Sequence, residues 1–162
     1  MKAKHINPVL YIFSLVVWGF NLFCCIFHYF IEIPPTWIIV VFVCVFIEGI
    51  WSGAFSGEPA IPDGVYKKRF LDYCLIISSI VARCAAVFGF VAILIAGGGP
   101  EEIDGVYCIV NHGDIVRTVT EGAYIFFLVC EVMIFTFGLL IFSSMMAMRI
   151  RKMYVLQKGE YD

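Results

Sequence analysis

Four side chains stand where chemistry is expensive. Asn21, Glu48, Arg83 and Glu131 each fall inside a long apolar run, and polar or ionisable groups in such runs mark helix fastening or a path for ions. Counted from the run ends that carry flanking bases, Asn21 and Arg83 lie about 12 to 13 residues in and Glu131 about 16, depths that agree within roughly 6 Å. An Arg83–Glu131 ion pair, with Asn21 as an added hydrogen-bond partner, is therefore expected at mid-membrane depth. Glu48 lies nearer the inner surface, so Arg83 has to choose between the two carboxylates or bridge them. The first reading of this network is structural. An ion or proton path and contact with a partner's helix are the alternatives, although four short runs without repeats or Gly/Pro-interrupted spans lack the machinery of alternating access.

Other reactive residues point away from catalysis. Of seven cysteines, Cys24, Cys25, Cys44, Cys74, Cys84 and Cys130 sit within apolar runs, leaving Cys108 without a disulfide mate outside the membrane. Cys108 is thus a free thiol or one bonded to another chain. No CxxC occurs, and His5, His28 and His112 are too scattered to ligate a zinc or a haem together. A nucleophile elbow, a phosphate loop and a carboxylate pair beside a histidine are all absent from the sequence. No catalytic residue, metal site or cofactor is expected, and an enzyme is not the expectation.

The elements that hold these residues follow from composition. With 62% of 162 residues apolar and only 15% charged, the chain has too few polar groups to solvate a surface, so lipid is its solvent. A net charge of −2 argues against a nucleic-acid partner. A membrane helix needs about 20 predominantly apolar residues, and such runs cover 9–31, 36–54, 70–96 and 123–148. The fold class expected is all-α, a four-helix transmembrane bundle in a single integral membrane domain. The first run lacks a small-residue cleavage site and another run follows almost at once, so it is read as a persisting helix. Pro34-Pro35 allows only a hairpin over 32–35, and Pro59, Pro62, Gly57 and Gly64 forbid a span within 55–69. The connection 97–120 opens on Gly97-Gly98-Gly99-Pro100 and is long enough to fold into something recognisable.

Nine of the eleven bases set the orientation. Lys2, Lys4, Lys67, Lys68, Arg69, Arg149, Arg151, Lys152 and Lys158 all fall on one side, which places both termini, loop 55–69 and tail 149–162 in the cytosol. Loops 32–35 and 97–120 are then outside, where Glu32, Glu101, Glu102, Asp104, Asp114 and Glu121 face Arg117 alone. Within the third run Ser78, Ala82, Ala86, Gly89, Ala92 and Ala96 recur at steps of three or four, a stripe that lets backbones approach closely. It is read first as packing within the bundle and second as a face for a lateral partner. A homo-oligomer is left open.

Two resemblances follow from this layout. Cytosolic termini and a third helix opening on an acid, Phe70-Leu71-Asp72-Tyr73, resemble the MARVEL-type four-span proteins of vesicles and junctions. More closely, the chain resembles the snakeskin-type four-span proteins of insect smooth septate junctions. That likeness covers the full chain and rests on its length, the minimal outer loop at Glu32–Pro35, the short one around Cys108 and the Lys67-Lys68-Arg69 inner loop. It implies a non-enzymatic structural role in an epithelial paracellular barrier of midgut and excretory tubules, at the lateral plasma membrane. The partners it implies are a mesh-like single-pass adhesion protein and a junctional tetraspanin, organised laterally. A MARVEL-like trafficking protein and an accessory subunit of a channel or transporter are the alternative functions.

Overall fold

The computed structural model describes residues 6–28, 36–54 and 68–158. The expected hairpin 32–35, with its Pro34-Pro35 and Glu32, lies outside the described residues, as do most of loop 55–69, Lys2, Lys4, His5, Lys67 and the end of the tail. The described chain is mostly helical. Its elements run α1 (Pro8–Phe27), α2 (Thr36–Trp51), α3 (Phe70–Ala96), β1 (Gly99–Ile103), β2 (Val106–Asn111), β3 (Asp114–Thr118) and α4 (Glu121–Gln157). The chain divides into two compact units, unit 1 (Met1–Ile80 with Leu139–Asp162) and unit 2 (Val81–Gly138).

Three helices, α1, α3 and α4, are long and apolar enough to cross a membrane; α2 is equally apolar but has 16 residues. The side-chain pattern of α1 explains what holds such helices in lipid. Leu10, Ser14, Val17, Asn21 and Cys24 are buried, while Val9, Ile12, Val16, Phe20 and Phe23 are exposed. The inward stripe is thus the more polar one, the reverse of a water-soluble helix. Asn7 begins α1 by accepting the Val9 N–H at 2.9 Å, with Pro8 at the first helical position where its missing N–H costs nothing. α3 matches the expected 70–96, whereas α4 starts two residues earlier than expected and runs nine past Met148. The bases at 149–152 lower hydropathy without opposing helix formation, so an apolar run marks the lipid-facing part of a helix rather than its end.

The all-α expectation requires one correction. Connection 97–120 folds as a three-stranded antiparallel sheet in the order β1-β2-β3. Two tight turns build it. Asp104-Gly105 joins the paired ends Ile103 and Val106, and His112-Gly113 joins Asn111 and Asp114. All four turn residues have positive φ, between 50° and 91°, the left-handed pair that makes a two-residue turn follow the strands' own twist. The second hairpin carries an irregularity at Ile109/Val110, where β3 has one residue more than its partner. Cys108, Ile109 and Val110 of the central strand are buried, and all of β3 is exposed. Only two residues separate α3 from β1 and two separate β3 from α4.

Candidate functional site

Within unit 1 the ends of α1, α3 and α4 are tied by a buried polar clamp. Asp72 sits three residues after Arg69, so its Oδ2 accepts the Arg69 backbone N–H at 2.8 Å and caps α3. Its Oδ1 is left facing inward and accepts from Arg151 Nε of α4, also at 2.8 Å. Arg151 then donates through Nη1 to the Tyr11 hydroxyl of α1 at 2.6 Å. Both charged side chains are almost fully buried, at 1% exposure for Asp72 and 8% for Arg151.

Apolar and aromatic contacts seal the clamp. Tyr11 stacks on Tyr154 with ring centres 4.6 Å apart, and Lys158 lies over the other ring's region at 4.9 Å from the Tyr154 centre. Ile6, Leu10 and Ile150 form a buried cluster against which Tyr11, Met153 and Tyr154 pack. Ile6 N–H donates to Gln157 Oε1 at 2.6 Å. The arrangement therefore fixes three helices by one charge-assisted network whose partners exclude water and lipid together.

A second polar layer lies deeper in unit 1. Asn21 Nδ2 donates to Ser143 Oγ at 3.0 Å and its Oδ1 accepts from the Cys25 thiol at 3.6 Å. Trp18 Nε1 donates to Ser78 Oγ at 3.1 Å, which in turn donates to the Leu75 carbonyl. Hydroxyls on α3 and α4 thus serve as adaptable partners for the α1 donors. Glu48 is fully buried, and neither of its carboxylate oxygens has a hydrogen-bond partner among the described residues; the same holds for Ser79 Oγ.

Of the expected network, Asn21 and Glu48 belong to unit 1 while Arg83 and Glu131 belong to unit 2. Asn21 is engaged by Ser143 and Cys25, as given. Arg83 is exposed on α3 and Glu131 is half-buried, its Oε2 4.0 Å from where a Cβ on Gly99 would stand. A buried ion pair, not among the sequence expectations, joins Asp72 to Arg151. Sequence reading gave Asp72 to helix opening and Arg151 to a solvated flank. The capping position of Asp72 is legible from its spacing to the helix start, but a pair 79 residues apart leaves no local trace.

The small-residue stripe is used internally. Ala82, Gly89 and Ala96 are buried, Ser78 nearly so, and Ala86 and Ala92 are half-buried. In unit 2 a Cβ on Gly89 would stand 2.5 Å from the Cys130 carbonyl oxygen, so α3 and α4 approach backbone to backbone there. At Gly89, therefore, the stripe is in contact with α4. Cys108, expected as a free thiol or one bonded to another chain, is a free thiol buried at 1% exposure, with Sγ donating to the Val106 carbonyl at 3.5 Å. A thiol held inside the sheet is not presented to another chain.

Outside the helices, unit 2 locks its sheet to α4 through a stacked pair, Tyr107 on Tyr124, 4.7 Å between centres. The carboxylate of Glu121 beside it pushes the Tyr107 phenol up, with further contributions in the same direction from desolvation, Glu102 and Tyr124. Thr120 caps α4 by accepting the Ala123 N–H at 3.3 Å. Among the described residues no three His, Cys, Asp or Glu side chains are placed to hold a metal ion.

The described fold has the character of a multi-pass membrane protein: three helices able to cross a bilayer, with many large apolar side chains exposed on them. Compared with known proteins, the chain matches no family model, no curated protein and no solved structure.

Proposed function

We propose that this chain is a non-enzymatic structural membrane protein with four spans and both termini in the cytosol. It organises partner membrane proteins laterally at a smooth septate type of cell–cell junction and so contributes to an epithelial paracellular barrier. The observation that carries this reading is the three-stranded sheet set within two residues of α3 and α4. Such short links leave the sheet no freedom of its own, as suits a fixed outer contact surface rather than a tethered catalytic or receptor domain. Charge supports the orientation. Lys68, Arg69, Arg149, Arg151, Lys152 and Lys158 flank the helix ends away from the sheet, while Glu101, Glu102, Asp104, Asp114 and Glu121 surround it against Arg117.

The buried stripe on α3 moves the site of partner contact to lipid-facing helix surfaces and to the exposed β3 strand. A mesh-like adhesion protein and a junctional tetraspanin are the partners implied by the resemblance to septate-junction proteins. The test is to label a tail-tagged chain in a polarised epithelium and to delete it there. Lateral junction labelling, with partners lost from the junction on deletion, is the expected result. Vesicular labelling with junctions intact would replace this reading by the MARVEL-like trafficking one.

A further inference from the structure

We propose that Glu48 is the anionic ligand of a buried small-cation site in unit 1, filled by a proton carried with a bridging water or by an alkali cation. The first ground is position. His28 and Trp37 lie with ring centres 6.4 Å apart and set the level at which α1 and α2 start to run side by side. Glu48 follows Trp37 by eleven residues, about 16 Å along α2, which brings it level with Val17 and Trp18 of α1. That is the layer where Trp18 meets Ser78 and, one turn on, Asn21 meets Ser143. Ser79 and Ser144 are also buried at this depth. Glu48 therefore belongs to a shelf of oxygen-bearing side chains inside an otherwise apolar fold.

The second ground is that the shelf is incomplete as it stands. Two of its members, the Glu48 carboxyl and Ser79 Oγ, are each over nine-tenths buried with no hydrogen-bond partner among the described residues. A carboxylate cannot stay in such a place without a counter-charge. Among the described residues the other fully buried charges are Asp72 and Arg151, which hold each other, while Arg149 of α4 is half-buried, with its Nε enclosed, and has an interaction of its own. From α1, α3 and α4 the layer receives the uncharged Trp18, Asn21, Ser78, Ser79 and Ser143; the nearby titratable group is the Cys44 thiol, one turn away on α2. No described residue makes a hydrogen bond to the carboxyl, so its neutralisation is assigned here to a small cation. A proton alone would leave its own O–H without an acceptor, which is why that form needs the water.

The experiment measures thermal unfolding of the full-length protein in lipid nanodiscs between pH 5 and 9. Sodium, potassium or choline chloride is supplied at one ionic strength, for the wild type and for Glu48→Gln. In the wild type the midpoint is expected to move by about 4 °C or more. A rise with sodium or potassium over choline at high pH identifies an alkali cation; a fall with rising pH that ignores the salt identifies a proton. Glu48→Gln, which keeps the shape and removes the charge, is expected to abolish either dependence. A wild-type midpoint indifferent to both variables, or a dependence that persists in Glu48→Gln, overturns the proposal. Should that variant not fold, the wild type alone decides. Absence of both a protonated-carboxyl infrared band that Glu48→Gln removes and bound radioactive sodium at one per chain would equally overturn it.

Discussion

Asp72 and Arg151 show how a few atoms set the energetics of one end of this molecule. Removing one partner strands the other as a buried charge, so Arg151→Ala should lower stability by about 3–5 kcal/mol, read from thermal or denaturant unfolding in detergent. Replacing both together, Asp72→Leu with Arg151→Met, should cost much less because no uncompensated charge remains. Tyr107 offers a titration of the outer surface. Its phenol is pushed up chiefly by the Glu121 carboxylate, so the folded state holds that proton to higher pH than the unfolded chain does. Stability tied to this tyrosine is therefore present below its unfolded value near pH 10 and is lost as pH rises through the higher folded one. Glu121→Gln should bring the Tyr107 tyrosinate absorbance at 295 nm in at lower pH, with Tyr107→Phe supplying the baseline. An unchanged titration would remove Glu121 as the cause.

The helices and the sheet were legible to different degrees. Apolar runs gave α3 to the residue and the existence of α1, α2 and α4, because the length of chain needed to cross lipid is a physical constant of the bilayer. The sheet was missed although Asp104-Gly105 between Glu101-Glu102-Ile103 and Val106-Tyr107-Cys108 is a hairpin signal in its own right. The Gly97–Pro100 breakers drew attention to a loop, and polar residues on short exposed strands dilute any alternation. The clamp and the Glu48 shelf stayed hidden for another reason: residues far apart in sequence share them. Close packing of α3 on α4 in unit 2 gives the element-level prediction. Gly89→Ala should destabilise by about 1–3 kcal/mol, since the new methyl would meet the Cys130 backbone. Gly138→Ala meets nothing within 4 Å and should be neutral or gain up to about 1 kcal/mol from helix propensity. Equal effects at the two sites, by thermal unfolding, would mean the approach is not tight.

At the scale of the whole molecule, the proposed orientation has a direct check. His112→Cys, in the β2–β3 turn, should react with a membrane-impermeant maleimide on intact cells, whereas Lys158→Cys should react only after permeabilisation. Reaction of both before permeabilisation would refute cytosolic termini. Native Cys108 should stay unlabelled until the protein is unfolded, because its thiol is enclosed by the sheet.

The clamp also imposes an order on how the protein is made. Asp72 enters the bilayer region with the third helix, yet the guanidinium that compensates it is the thirty-first residue of α4's 37. Until nearly all of α4 has emerged from the ribosome, the nascent chain carries an acid that wants a base it does not yet have. The last turns of α4 therefore act as a latch: until Arg151 is in place, α1, α3 and α4 lack the network that ties them at this end.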